Sequence, residues 1–233
     1  MFSLRRAIIA AVSVAALAAV AAGTGWWFFV REDNQLATAA PAVPTDIATA
    51  ATAGDALTYT IIPSRSEASY FADEKLASLP LPSTAKGTTT DIQGVFHLAP
   101  GGISLDPAKT SQFTVNLTTL KSDRDMRDRR VQSTLQTSQY PTATFTATTV
   151  TGYDASLPAG AEQTLRLTGT LNLHGVQKEV TWDVKARKQG NVITGLATLT
   201  FPFEQFNLSP PNIAGFVSVQ DHVTLQVQIV AQS

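Results

Sequence analysis

No cysteine occurs anywhere in this chain. Disulfides, thiolate metal sites, thiol catalysis and attachment through a lipidated N-terminal cysteine are thereby excluded. Histidine is scarce too, with only His97, His174 and His222 present. They form no HxH pair and no HExxH motif, and no acidic metal loop accompanies them, so nothing gathers convergent metal ligands. A serine nucleophile needs a base and an orienting acid, yet there is no GxSxG elbow. No pair of carboxylates falls on an apolar face, where burial would raise a pKa for acid catalysis. Charge is sparse at 15% of residues. From Leu57 to Ser233 the chain holds 14 Lys plus Arg and 14 Asp plus Glu. The basic excess of a nucleic-acid binder is therefore missing. The residues supply no reason to expect an enzyme, a metal or a cofactor.

What is present begins at the N-terminus. Arg5 and Arg6 precede an uncharged stretch of 24 residues, Ala7 to Val30, and ~20 suffice for a helix to cross a bilayer. Residues 1–30 read as a signal-anchor helix, with Trp26, Trp27, Phe28 and Phe29 bunched where the interface would lie. The alternative is a cleaved secretory signal, with small residues at Ala19-Val20-Ala21. Either way Arg5 and Arg6 stay cytoplasmic and the rest is exported. The protein then belongs on the extracytoplasmic face of the bacterial plasma membrane or, if cleaved, is secreted or periplasmic. Residues 31–56 read as a linker: from 35 to 56, 15 of 22 positions are Ala, Thr or Pro. Such a stretch buries too little apolar surface to offset its ordering entropy, which predicts a tether. Residues 57–233 are long enough for one sizeable core.

Strand patterns fill that region. The clearest is Leu165 to Val184, where Leu165, Leu167, Gly169, Leu171 and Leu173 alternate with polar residues, turn at His174-Gly175, and resume with Val180, Trp182 and Val184. A period of two places one set on each face of a pleated strand, giving a hairpin with one charge-free face. The same face recurs at Leu57-Tyr59-Ile61 and Ser69–Phe71, with Pro63 bending this first strand, and at Ile92–Leu98, Phe113–Leu117 and Ala143–Ala147. Ile193–Phe201 and Val223–Ile229 complete it. About eight strands at hairpin-like spacing predict an all-β, antiparallel barrel or sandwich.

One helix interrupts them. Ser122 can cap it, Asp123 and Asp125 suit its first turn, and Asp123 to Arg127 and Asp125 to Arg129 are spaced to pair. Val131 and Leu135 share a stripe, and Tyr140-Pro141 ends the element. Arg124, Arg127, Arg129 and Arg130 have two readings: solvated charges balanced by nearby Asp, or guanidiniums at a barrel mouth that contact a polar head group. The charge-free face has two readings as well. Phe96, Phe113, Phe145, Trp182 and Phe201 would fill a small barrel, whereas Gly94, Ala143, Ala147, Gly169, Gly195 and Ala197 would leave room for one ligand.

Three segments bear on the choice: LTGTLNLHGVQKEVTW (167–182), RDRRVQSTLQTSQYPTATF (127–145) and FNLSPPNIAGFVSVQD (206–221). Together they resemble the YceI-like family of exported, lipocalin-like proteins that bind polyisoprenoid lipids, over residues 57–233. The resemblance implies an eight-stranded antiparallel lipocalin-like barrel, a short helix near its opening, a long tunnel for an isoprenoid or similar amphiphile, and no catalytic residues. Asn207, where glycine is usual, and Glu204-Gln205, in place of a frequent Arg-Asp, depart from the family pattern. On this reading Phe96, Phe113, Val115, Leu117, Phe145, Leu167, Leu171, Trp182, Val184, Leu199, Phe201 and Leu225 line the interior. The polar end lies near Arg127 or Arg130. The partners expected are an isoprenoid or other long-chain lipid and, through the N-terminal helix, the membrane. Nucleic acid is not expected, and a homodimer is compatible with the reading. The rival is a filled barrel acting as an extracytoplasmic protein-interaction or stress-response module.

Overall fold

The alternating segments are strands, and they close on themselves. In the computed structural model, which describes residues 34–48, 57–76, 83–213 and 217–233, these are β1 (Leu57–Ile61), β2 (Glu67–Leu76), β3 (Ser83–Thr89), β4 (Ile92–Leu98), β5 (Ser111–Asn116) and β6 (Lys121–Ser122). After a helix α1 (Asp125–Leu135) come β7 (Thr142–Thr151), β8 (Gln163–Leu173), β9 (Val176–Gln189), β10 (Val192–Pro202), β11 (Asn212–Ile213) and β12 (Val217–Gln232). The neighbours run β1-β4-β5-β7-β8-β9-β10-β12, and β12 also pairs with β1, completing an eight-stranded antiparallel barrel. Closure removes the free edges that an open sheet would present.

β1 and β2 form one long stave broken at Pro63–Arg65, a single 3₁₀ turn. Proline has no N–H to give a ladder, which is why the bend falls there. Ser66 stitches the break: its hydroxyl donates to the Ile62 carbonyl at 2.9 Å and accepts from Val230 N–H at 3.1 Å. β3 was not legible as a strand, because its inward residues Ala85 and Gly87 carry no apolar bulk. It pairs with β2 and β6.

α1 starts two residues later than its sequence suggests and stops sooner. Arg124, not Ser122, is the N-cap residue, and the helix ends at Gln136 in the left-handed region (φ 48°), before Tyr140. Asp123 pairs with Arg127 as expected. Ser122 is diverted to Asp128, whose carboxylate accepts from both the Ser122 hydroxyl (2.7 Å) and the Ser122 N–H (2.8 Å).

The stretch expected to be a tether behaves differently where it is described. Residues 35–47 form no helix or strand, yet belong to the same compact unit as the barrel, Gln35–Ser233. The Gln226 side chain takes Ala37 in both directions, accepting from its N–H and donating to its carbonyl, each at 2.9 Å. Thr194 donates to the Pro41 carbonyl at 2.7 Å, Glu162 accepts from Ala40 N–H at 2.9 Å, and Gln232 donates to the Ile47 carbonyl at 3.1 Å. Small side chains cannot build a core of their own. They do let an extended chain lie flat against a barrel wall that supplies hydrogen-bond partners. The Ala7–Val30 span lies outside the described residues, and among the described residues no helix is long and apolar enough to cross a membrane.

The interior holds two clusters. The larger joins Leu117, Phe145, Leu171, Trp182, Phe201 and Phe206 near α1, and the smaller joins Tyr59, Ile61, Ile92, Phe96, Leu98 and Ala231 at the other end. A run of rings connects them: Tyr59–Phe96, Phe96–Phe113, Phe113–Phe145 and Phe145–Trp182, with centroids 5.2, 6.0, 6.4 and 5.9 Å apart. These spacings are those of favourable aromatic pairs.

Candidate ligand cavity

Register decides which side chains face inward. Phe145 pairs with Leu171, Leu167 with Trp182, Leu165 with Val184, and Leu199 with Leu225. Each pair shares the inner face, as the alternation predicts. Side chains of this inner face enclose a cavity of about 710 Å³, within the ~300–1,000 Å³ range of small-molecule sites. Of the positions singled out from sequence, Phe113, Val115, Leu117, Phe145, Leu167, Leu171, Trp182, Val184, Phe201 and Leu225 border it, and Arg127 and Arg130 stand at its α1 end. Phe96 and Leu199 do not. Phe96 belongs to the packed cluster beyond Phe113, and Leu199 packs into the core around the cavity.

One stretch of the lining had no apolar signal. β2 turns Ala68, Tyr70, Ala72 and Glu74 inward, a set too small or too polar to read as a greasy face. The face read from sequence was free of charge, and Glu74 corrects that, with Tyr70 a further polar group inside. Burial pushes the Tyr70 phenol up to about 12, so it is neutral at any physiological pH. Glu74, 7% exposed, accepts from Arg127 Nη2 at 2.7 Å. Its register neighbours explain why it was missed: Glu74 sits at the mouth, where β2 meets the start of β12.

The two arginines therefore differ. Arg127 is largely buried and its guanidinium is shared between Glu74 and Asp123. It is neither a solvated surface charge nor a free cation. Arg129 and Arg130 are exposed, and neither has an ion pair among the described residues. The Trp182 indole N–H is buried with no protein acceptor. Among the described residues no three His, Asp or Glu side chains gather where they could hold a metal ion.

His174 lies in the β8–β9 turn in the left-handed region, and its Nδ1 stands 3.3 Å from the Phe206 carbonyl oxygen. Tyr140 packs edge-on against the same imidazole, with centroids 5.1 Å apart. A β-carbon on Gly175 would come within 2.6 Å of the Tyr140 ring. The three motifs read from sequence thus meet at one place and hold one another.

The fold and cavity define a closed antiparallel β-barrel with an apolar interior open beside a short helix. Residues 59–231 match the YceI-like domain, and the chain belongs to that family. It is 35% identical over 107 residues to protein YceI of Escherichia coli O6:H1, an alignment covering 45% of this chain and 50% of the relative. The chain thus spans about half the length of the curated relatives it matches. Among solved structures it resembles a polyisoprenoid binding domain from Saccharophagus degradans implicated in plant cell wall breakdown (TM-score 0.57, 17% identity, 75% of this chain and 98% of that one). It also resembles Burkholderia cenocepacia BcnA (TM-score 0.54, 20% identity, 74% and 99%). At these identities the likeness concerns the fold.

Proposed function

We propose that the barrel binds the tail of an isoprenoid or similar long-chain lipid in its interior without transforming it, outside the cytoplasm. The observation that carries this reading is the cavity of about 710 Å³, walled by leucine, valine and aromatic side chains. Each methylene moved from water into such a space contributes ~0.8 kcal/mol, so a tail needs no specific polar contact to be held. The name of the Saccharophagus domain points to the same ligand class. The inward acid Glu74 is engaged by Arg127, which argues against its use as a free general base. The head group belongs near Arg129 and Arg130, whose charges are uncommitted, rather than at Arg127. A filled interaction module is disfavoured by the same cavity.

Leu171 tests the reading because it is 3% exposed and borders the cavity. In a chain with Trp26 and Trp27 replaced by Phe, a prenylated benzoquinone should quench Trp182 saturably. Leu171→Asp should abolish that quenching while strand content is kept. Undiminished quenching in a folded Leu171→Asp protein would contradict it.

A further inference from the structure

We infer that the packed end of the barrel is a length gauge, with the Tyr59–Phe96 ring pair fixing the longest tail the interior accepts. The inference rests on the lipid-binding reading above. Inward alternation on β12 continues from Val223 to Ala231, but the cavity does not. It reaches Ile229 and Gly195 and stops, while Ala231, two residues on, is fully buried in the smaller cluster. From Val223 to Ile229 is roughly 20 Å of strand at ~3.3 Å per residue.

Below that level the lumen is solid. Tyr59 is 0% and Phe96 8% exposed, and their rings stack 5.2 Å apart with planes only 10° from parallel. Phe113 belongs to both halves, bordering the cavity on one side and meeting Phe96 at 6.0 Å on the other. A barrel of eight strands has room for its own side chains or for one small ligand. Here the two conditions are stacked along one axis. A tail that reaches the rings has no further apolar space, so the gain from each added methylene must end there. Gly195 marks the same boundary from the opposite wall. A β-carbon there would lie 3.4 Å from Ile229 Cγ1, an ordinary contact, so alanine would occupy the deep end without displacing anything.

The test is the affinity of the delipidated full chain for 1-alkanols from octanol to eicosanol, read by displacement of N-phenyl-1-naphthylamine. Wild-type affinity should rise about fourfold per methylene, then level off at one length. Phe96→Ala should bind alkanols two methylenes past that break about tenfold tighter or more, and Gly195→Ala should move the break to shorter chains. A break unmoved in both folded variants would overturn the gauge and leave lipid binding standing. No affinity for any alkanol would overturn both. Should Phe96→Ala fail to fold, Gly195→Ala decides alone: a shorter break supports the gauge, and an unmoved one overturns it.

Discussion

Three glycines on the inner face are filled by neighbouring rings or backbone, and a fourth is left open. A β-carbon on Gly169 would come within 2.7 Å of Phe145 Cζ, one on Gly87 within 2.7 Å of Tyr70 Cζ, and one on Gly94 within 3.1 Å of Phe113 Cδ1. Sequence alone counted Gly94 and Gly169 as room for a ligand, because spacing does not show which way a ring on the next strand will lie. Of the small residues that the sequence offered as room, Gly195, Ala143 and Ala197 border the cavity, and Ala68, Ala72 and Ala85 border it as well. Asp128 makes a different residue-scale point. Burial works against its charge, but the two hydrogen bonds from Ser122 and the nearby Lys121 outweigh this and hold its pKa below the usual carboxylate range. A carboxyl whose pKa is lower folded than unfolded stabilises above the unfolded value, about 4, and loses that contribution as pH falls through the folded one. Asp128→Asn should therefore cost stability at neutral pH, and the gap to wild type in urea unfolding should shrink towards strong acid. A gap independent of pH would show that the charge of Asp128 plays no part.

At the scale of elements, the strands were legible wherever large apolar residues alternate, as in β8, β9 and β12. They were less so where the inward residues are small or polar: of β2 only Ser69–Phe71 was read, and β3 was not read at all. The strap at 35–47 was illegible for a related reason. Its partners Thr194 and Gln226 are polar residues on the barrel's outer face, 0% and 3% exposed, and polar outward positions read as solvated. Val192, Leu196 and Val230, buried on that same face, also broke the alternation without declaring a partner. Removing the amide of Gln226 takes away both bonds to Ala37. Gln226→Ala should lower unfolding free energy by ~1–3 kcal/mol and speed hydrogen exchange at the Ala37 amide. Unchanged exchange there would mean that the strap does not depend on this anchor.

Over the whole molecule, one closed sheet does two jobs along its length. Its far end, from Tyr59 to Phe96, is packed like any protein core, and the end beside α1 keeps a cavity. Composition had excluded the chemistry of cysteine and clustered histidine, and alternation predicted an apolar interior. Whether that interior was full or hollow depended on register and ring orientation, which become definite only when the eight staves close. Of the segments that carried the family resemblance, His174, Gly175, Tyr140 and Phe206 brace one another, whereas Arg127, Phe145, Leu167, Leu171 and Trp182 border the cavity. Central to the account is occupancy of that cavity by lipid. Native mass spectrometry of the full chain purified from its own host, with solvent extraction of the same sample, tests it most directly. A reproducible co-purifying long-chain lipid, lost in Leu171→Asp, is the predicted result, and a protein that emerges without lipid and takes up none when prenyl lipids are added would contradict it.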